Sequence, residues 1–597
     1  MRSYFLKHFH IAEILPYVGF AIFVLGTKLV IIATYGNATP FWDQWDAEAD
    51  FLYRPWLEGS LQWKDLFAAH NEHRILTARL LALALLELNG RVWNPILQMQ
   101  VNAVLHVLSL SILLFYLSKL LAPINKSVLF YFSAVLFAIP FGWENTLAGF
   151  QSEFYFLLLF SFVFLWAMSA YETYSLKWWL GLVAGGLCLV SLASGALTIL
   201  AGTLILVIRR WIANDKENVA MSAIALLLML AVLAIVFTPN VPGHAVLKAQ
   251  SGYQFLTAFG ASLSWPVNKI WGVIIQIPVM VLLCLILIKK RYQSSPYFFV
   301  AAMTLWLFGQ FISISYGRAV LVTISRYLDL FAMGLVINFA VLLVLISQAC
   351  LKNRFLYGLG LVVWLATVMF GFSTSERKLI DDLQIKANQG LEQEKSTRAF
   401  LCTGEVGYLQ IKSILYPDPQ RLKRLLNNPT ILSILPGNIY LPNAKYPVGI
   451  DGAPFCNQEL LAKAFKVLNW KVTDDIMASA KIDSIRSNNW QGTDYYKSEI
   501  PGLQVVGSWI NSDKKTGTIS LHLHRGEKIL YRSGPSVARQ FVLINNGDVR
   551  SFNTALPLAL EWLILDFSKA QLPEEFDVTL IDAGTSWGEW SAIALQK

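Results

Sequence analysis

Asp43, Asp46 and Asp50 stand at steps of three and four within PFWDQWDAEADFLYRPWLEGSLQWKDLFAAHNEHRI, residues 40–75. On a helix that spacing brings the three carboxylates to one face, and Tyr53 continues it. A carboxylate within hydrogen-bond reach of an alcohol can take its proton as the alcohol oxygen forms a new bond. Trp42, Trp45, Ala49, Leu52 and Trp56 make a neighbouring apolar stripe, so a helix is expected over 42–57. Tryptophan settles at headgroup depth, and such a helix would present its acids at a lipid–water boundary. His70, Glu72, His73 and Arg74 follow. A guanidinium there suits a phosphate, which it can grip through two parallel hydrogen bonds. A plainer reading covers the same residues: an amphipathic interfacial helix with solvated acids, and Arg74 anchoring the next helix to anionic headgroups. His70 and His73 do not form a standard metal-ligand pair, so no metal residue is assigned, and a divalent ion stays open.

The elements that must position these groups follow from composition. The chain has 597 residues, 55% hydrophobic, 13% aromatic and only 15% charged, with mean hydropathy +0.50. Soluble proteins carry about 25% charged residues. A disulfide scaffold, a disordered chain and a cytosolic enzyme are excluded, and a polytopic α-helical membrane protein is expected. Runs of roughly 20 apolar residues mark spans. About eleven candidates occur, at 11–33, 95–118, 126–140, 151–172, 177–193, 196–211, 218–237, 268–288, 297–315, 327–348 and 355–373. The basic residues Arg2, Lys7, Lys119, Lys126, Lys177, Arg209, Arg210, Lys289 to Arg291, Lys352 and Arg354 then belong to cytoplasmic loops. The net charge of +9 is thereby assigned to membrane edges, and no nucleic-acid partner is expected. Consistent alternation requires ILTARLLALALLEL (75–88) to lie in the interface rather than span, which its short length favours.

Residues 1–374 are thus expected to form a membrane domain, with 35–94 a first external loop containing juxtamembrane helices. Residues 375–500 read as an extracytoplasmic, mainly helical segment, with helices at 376–400 and 456–470. Residues 501–597 read as a β-rich subdomain resembling a sandwich, with strands at 503–509, 516–524, 528–534, 539–545 and 576–583 and a turn at Asn545-Asn546-Gly547. Cys402 and Cys456 are the two cysteines of this exported tail, where a disulfide is plausible.

Other outward loops add candidates: Glu144 and Glu153 in 141–154, Arg318, Arg326 and Asp329 in 316–329, and His244 and Lys248 in 238–266. Either Arg318 or Arg326 could meet a phosphate. The chain holds no GxxxxGK[ST], GxGxxG, CxxC or HExxH, so nucleotide cradling and a standard zinc site have no support.

This organisation resembles the polyprenol-phosphate-dependent membrane glycosyltransferases of the GT-C fold. WDQWDAEADFLYRPWLEGS is similar to that family's acidic start, and HNEHRILTARLLALALLELNG to its second juxtamembrane element. The chain departs from the family in having Asp43-Gln44-Trp45-Asp46 where an adjacent Asp-Glu pair is common, and in lacking a Lys-Pro-Pro. The resemblance implies sugar transfer, with inversion, from a polyprenyl-phosphate donor to an envelope glycan or glycolipid on the external face. It also implies a bacterial cytoplasmic (inner) membrane location, with a cytoplasmic N-terminus and a periplasmic C-terminal domain. Asp43 or Asp46 would be the catalytic base. Arg74 falls where many members have a phosphate-contacting lysine. Asp50, Tyr53, His70, Glu72, His73, Arg318 and Arg326 would complete the substrate site. The alternatives are a transporter or flippase for a lipid-linked sugar, and a non-catalytic envelope assembly protein whose tail tryptophans (Trp490, Trp509, Trp562, Trp587 and Trp590) bind glycans.

Overall fold

A computed structural model describes the chain apart from residues 1–10, 215–217, 375, 404–405, 412, 441–468, 472–477, 491–501, 510–515, 538, 546–550, 557, 561 and 567–573. It divides into two compact units, one of residues 1–36, 46–90 and 94–387, the other of 37–45, 91–93 and 388–597.

The first unit is a helical bundle. Its long helices are α1 (Ile11–Tyr35), α2 (Leu76–Leu88), α3 (Pro95–Ser118), α4 (Pro123–Ala138), α5 (Ser152–Ala170), α6 (Leu176–Leu189), α7 (Gly195–Ala213), α8 (Asn218–Val236), α9 (Gly252–Ser264), α10 (Ile277–Ile288), α11 (Ser295–Gly317), α12 (Ser325–Gln348) and α13 (Leu351–Ser373). Every expected span is helical. Among the described residues nine helices are long and apolar enough to cross a membrane, and α4 and α6 are shorter apolar helices. α12 is buried along almost its whole length, as suits a helix that is apolar all round. α8 is equally apolar yet mostly exposed, and only a hydrocarbon surrounding makes that stable. The chain is a polytopic α-helical membrane protein with a strand-containing C-terminal domain.

The bundle has two chemically different ends. Lys119, Lys177 and Arg209 gather around Trp166–Tyr171, with the Lys119 ammonium over Trp166 and the Lys177 ammonium over Tyr171, while Arg209 donates to the Met168 and Tyr171 carbonyls. The opposite end collects the loops that carry the candidate site.

The segment expected as a regular helix over 42–57 departs from that reading. Gln44–Tyr53 is a π-helix and Arg54–Leu57 a short α-helical turn. A wider turn rotates each successive side chain less far round the axis. Trp45, Ala49 and Leu52 are buried as the stripe requires, but Trp42 and Trp56 are exposed, and Gln44, Glu48 and Tyr53 turn inward. The segment 75–88, expected to lie in the interface, is the helix α2, following a two-residue-strand hairpin of β1 (Ala69–His70) and β2 (His73–Arg74). Arg79 of α2 holds the approach to this hairpin, its Nη1 donating to the carbonyls of Asp65, Leu66 and Ala68 at 2.9, 2.9 and 2.6 Å.

In the second unit, Glu394 accepts hydrogen bonds from Asn37 Nδ2 (2.8 Å) and from the buried Arg398 Nη2 (2.7 Å), and Gln393 Nε2 donates to the Pro40 carbonyl (2.8 Å). These belong to α14 (Glu376–Thr403); α15 (Pro419–Leu426) and α16 (Pro429–Ile434) follow, each capped by a side chain, Asp418 and Asn428. Among the described residues ten strands then form two five-stranded antiparallel sheets, ordered β3-β10-β7-β12-β5 and β4-β6-β11-β8-β9. The first sheet holds β3 (Asn469–Lys471), β5 (Leu503–Gly507), β7 (Lys528–Ser533), β10 (Leu563–Asp566) and β12 (Ser591–Gln596). The second holds β4 (Ile485–Asn488), β6 (Gly517–His524), β8 (Gln540–Asn545), β9 (Ser551–Ala555) and β11 (Glu575–Asp582). Alternate residues of both, including Ile519, Leu521, Val578, Ile529, Tyr531 and Ile593, interdigitate in one core. Successive strands alternate between the two sheets except for β8 and β9, which pair as neighbours in the second.

Five expected strands coincide with β5, β6, β7, β8 and β11. The sandwich also draws β3 and β4 from the segment read as mainly helical, because such short strands carry too little alternation to announce themselves. Cys456, the Cys402 side chain, residues 456–468 and the turn at 546–547 lie outside the described residues.

Candidate functional site

The β1–β2 hairpin turns on Asn71 and Glu72, with Asn71 at φ +51°, a left-handed conformation asparagine tolerates. The tight turn pushes Glu72 outward. Two distant residues meet it. His244 sits in a 3-10 turn, Pro242–Leu247, after α8, and Arg318 ends α11, its own N–H bonded to Ile314. His244 Nδ1 lies 2.6 Å from Glu72 Oε1. Arg318 Nη2 lies 3.3 and 3.4 Å from the two Glu72 carboxylate oxygens, and 3.2 Å from His244 Nδ1. A carboxylate only accepts, so Nδ1 carries the shared hydrogen and the guanidinium pairs with the carboxylate rather than with the imidazole. Burial pushes the Glu72 carboxyl pKa up, but the His244 hydrogen bond and the Arg318 charge together outweigh it, leaving the pKa below the usual glutamate value.

The neighbouring hairpin residues are held differently. His73 Nδ1 accepts the Ala193 N–H at 3.3 Å, and burial lowers its pKa to about 4, with Glu72 pulling the other way. It is therefore a neutral acceptor at neutral pH. The His70 ring packs edge-on to Phe150 at 5.4 Å. Arg74 is half-buried, and among the described residues its guanidinium has no ion pair.

The π-helix is joined to this hairpin by packing. Ala47, Ile75, Ala78 and Phe150 form one small apolar cluster. Asp46 and Arg74 are the chain neighbours of two of its members, and His70 lies against a third. Asp46 is half-buried. Asp50 is engaged by Arg54, with Oδ1 2.8 Å from Nη2 and 3.1 Å from Nε. Tyr53 lies inside, its hydroxyl accepting from Gln98 Nε2 at 3.1 Å, while Gln98 also donates to Glu48 at 3.0 Å. Asp43 stands in the turn before the π-helix, within the second unit.

Arg326 belongs to a separate cluster at the start of α12. Its backbone N–H and Nε both donate to Glu144 Oε2, at 3.0 and 3.3 Å. One turn on, the buried Asp329 accepts from Asn145 Nδ2 at 3.0 Å, and Lys28 Nζ donates to Thr146 Oγ1 at 3.2 Å. Lys386, facing Glu144, has its ammonium pKa pulled down to about 8 by burial. Sequence reasoning passed over Lys28, Glu48 and Lys386. Lys28 did leave a signal: it is the single charge within the apolar run 14–35, and ionisable groups at such depth mark sites. Glu48, one acid among several in 43–58, leaves no signal of its own. Among the described residues no group of three or more His, Cys, Asp or Glu side chains is placed to share a metal ion.

No family model matches the chain, and no curated protein matches it either. Among solved structures it is similar to arabinosyltransferase EmbB from Mycobacterium smegmatis, at 11% identity and a TM-score of 0.34, over 99% of this chain and 64% of that one. The chain thus spans less than two thirds of that protein's length. A likeness at that score leaves fold and function to be argued from the chain's own residues.

Proposed function

We propose that the chain is a membrane glycosyltransferase that moves a sugar from a polyprenyl-phosphate carrier to a hydroxyl of an envelope glycan or glycolipid. The observation that carries this reading is Arg74: a half-buried guanidinium without an ion pair among the described residues, on a hairpin whose neighbours His73 and Glu72 are both tied down. It is free to meet a phosphate, and the Arg79 bonds to the Asp65, Leu66 and Ala68 carbonyls brace the segment that leads into its hairpin.

In the reaction the acceptor O–H bond breaks and its proton passes to a carboxylate, from Asp43 or Asp46. The acceptor oxygen bonds to the anomeric carbon, whose bond to the phosphate oxygen breaks with its electron pair leaving on phosphate. Attack opposite the leaving group gives inversion. The phosphate gains a negative charge, which Arg74 stabilises, with Arg318 able to assist once it turns from Glu72. The gathering of basic loops at the other end of the bundle supports an external location for this chemistry. A transporter would need polar groups distributed through several spans. Lys28 and Asp329 are buried in the bundle, but Thr146 and Asn145 hold them beside the loops of this same end, which favours surface chemistry.

The test is purified chain in nanodiscs given a polyprenyl-phosphate sugar and extracted envelope glycolipid. Transfer that is lost in both Asp43→Asn and Asp46→Asn, or in one of them, supports the reading. Donor binding without turnover supports a non-catalytic assembly role instead, and full activity in both variants removes the proposed base.

A further inference from the structure

We infer that one end of the C-terminal sandwich is a lipid-contacting tip, in which Trp587, Leu558 and Leu560 enter the boundary between headgroups and acyl chains. Strand register defines this end. Ser591 lies opposite Ser533, Leu563 opposite Tyr531, Asp582 opposite Gln540 and Phe541 opposite Ala555, so the described residues of the three connections that follow β7, β9 and β11 emerge together. Trp587 is 84% exposed, Leu558 54% and Leu560 53%, and they are the exposed large hydrophobic side chains of the described sandwich. The other tail tryptophans differ: Trp490 and Trp590 are buried, and Trp509 and Trp562 half-buried.

The loops hold these side chains out. Glu589 Oε2 accepts the N–H groups of Thr585 and Ser586 at 2.9 and 2.8 Å, Arg539 Nη1 donates to Thr585 Oγ1 at 3.1 Å, and the Ser536 N–H donates to the Gly588 carbonyl at 3.0 Å. Gly588 takes φ +81°, and a Cβ there would sit 2.7 Å from Pro535. In the second loop, Ala559 and Ser533 exchange hydrogen bonds at 2.9 and 2.8 Å. A loop braced this way cannot fold its apolar tip inward.

The occupant follows from where this end attaches. Tyr408, in the 3-10 turn just after α14, donates its hydroxyl hydrogen to the Leu556 carbonyl at 2.7 Å. Within the same unit, α14 holds Asn37 and Pro40, the residues that follow directly on the membrane helix α1. The apolar end is therefore the end joined through Tyr408 to the helix that also holds the residues following α1, and a tether to a membrane helix keeps a domain at high local concentration near lipid. One tryptophan with two leucines matches that boundary, where an indole sits at headgroup level and aliphatic chains go deeper. Leucines add nothing to sugar recognition by hydrogen bonding. The inference rests only on the chain spanning a membrane, and stands or falls separately from the glycosyltransferase reading.

The experiment uses the full chain in nanodiscs, with Cys284, Cys350, Cys402 and Cys456 replaced by serine and the buried Cys188 retained. Spin labels are placed by Trp587→Cys, by Leu558→Cys and, at the opposite end of the sandwich, by Arg525→Cys. Labels at 587 and 558 should collide several-fold more with oxygen than with a water-soluble nickel chelate, and the label at 525 should show the reverse. Water-like accessibility at both 587 and 558 would overturn the inference. Shielding from nickel that appears only when soluble oligosaccharide is added would overturn it too, in favour of a sugar platform.

Discussion

Arg318 and Glu72, 246 positions apart in sequence, face each other with a guanidinium nitrogen 3.3 Å from one carboxylate oxygen and 3.4 Å from the other. The pair sets how much of the Arg318 charge a phosphate would meet. Glu72→Gln removes the countercharge while keeping a hydrogen-bond acceptor for His244, so donor affinity should rise or hold, and Arg318→Gln should lower it by about tenfold, as losing a charge-assisted bond does. Donor titrations of the two variants that move in the same direction would contradict the pairing.

Arg74→Ala should weaken use of the donor far more than of the acceptor. The expected cost is on the order of 10²-fold in kcat/KM for the donor, because the guanidinium meets charge that grows in the transition state. Equal loss for both substrates in steady-state kinetics would place Arg74 in the folding of the hairpin instead.

His73 makes stability depend on pH in a stated direction. Its folded-state pKa lies at about 4 against an ordinary 6.5, so the unfolded chain binds the additional proton throughout that interval. Stability is fully present above 6.5 and falls as pH drops toward 4, by up to about 3 kcal/mol. His73→Asn keeps an acceptor for the Ala193 N–H and should flatten this slope in thermal melts from pH 7 to 4. An unchanged slope would show that His73 is not the group responsible.

Gly142 abuts the carboxyl of Asp329, where a Cβ would stand 2.5–2.6 Å from its atoms. Asp329 is held by Asn145 and cannot retreat freely. Gly142→Ala should cost about 1–3 kcal/mol, as overpacking does, and lower the melting midpoint. A midpoint equal to that of the parent chain would mean that the loop yields.

Asp582 has the opposite sign to His73. Burial raises its pKa to about 7 from 3.8, although Gln540 Nε2 and the Gly584 N–H donate to Oδ1 at 2.6 and 2.8 Å. The stability this confers is complete below 3.8 and lost as pH rises through 7. Asp582→Asn keeps the acceptor without the charge, and should stabilise the sandwich at pH 8 by about 2–4 kcal/mol with little change at pH 4. Greater stability of the parent at pH 8 in denaturant unfolding would refute it.

The membrane helices were legible because a span is a local property: length and apolar content decide it, and 95–118 corresponds to α3 with the same limits. The acidic segment was legible as a helix but not as a π-helix, since residue types over ten positions do not fix how many residues make a turn. The meeting of Glu72, His244 and Arg318 was less accessible still. Each was identifiable as a polar residue in a loop, but which loops converge is set by the packing of helices between them. Lys28 with Thr146 shows the same limit inside the bundle. β9, β10 and β12 escaped notice because their pairing partners, rather than any alternation of their own, make them strands.

The clasp of Asn37 and Pro40 by Glu394 and Gln393 bears on how the molecule can be taken apart. Truncating the chain ahead of residue 388 does not trim away an accessory module. It strips the stretch containing Asp43 of the side chains that hold Asn37 and Pro40, so a shortened protein that retains every helix of the bundle would carry that stretch unmoored.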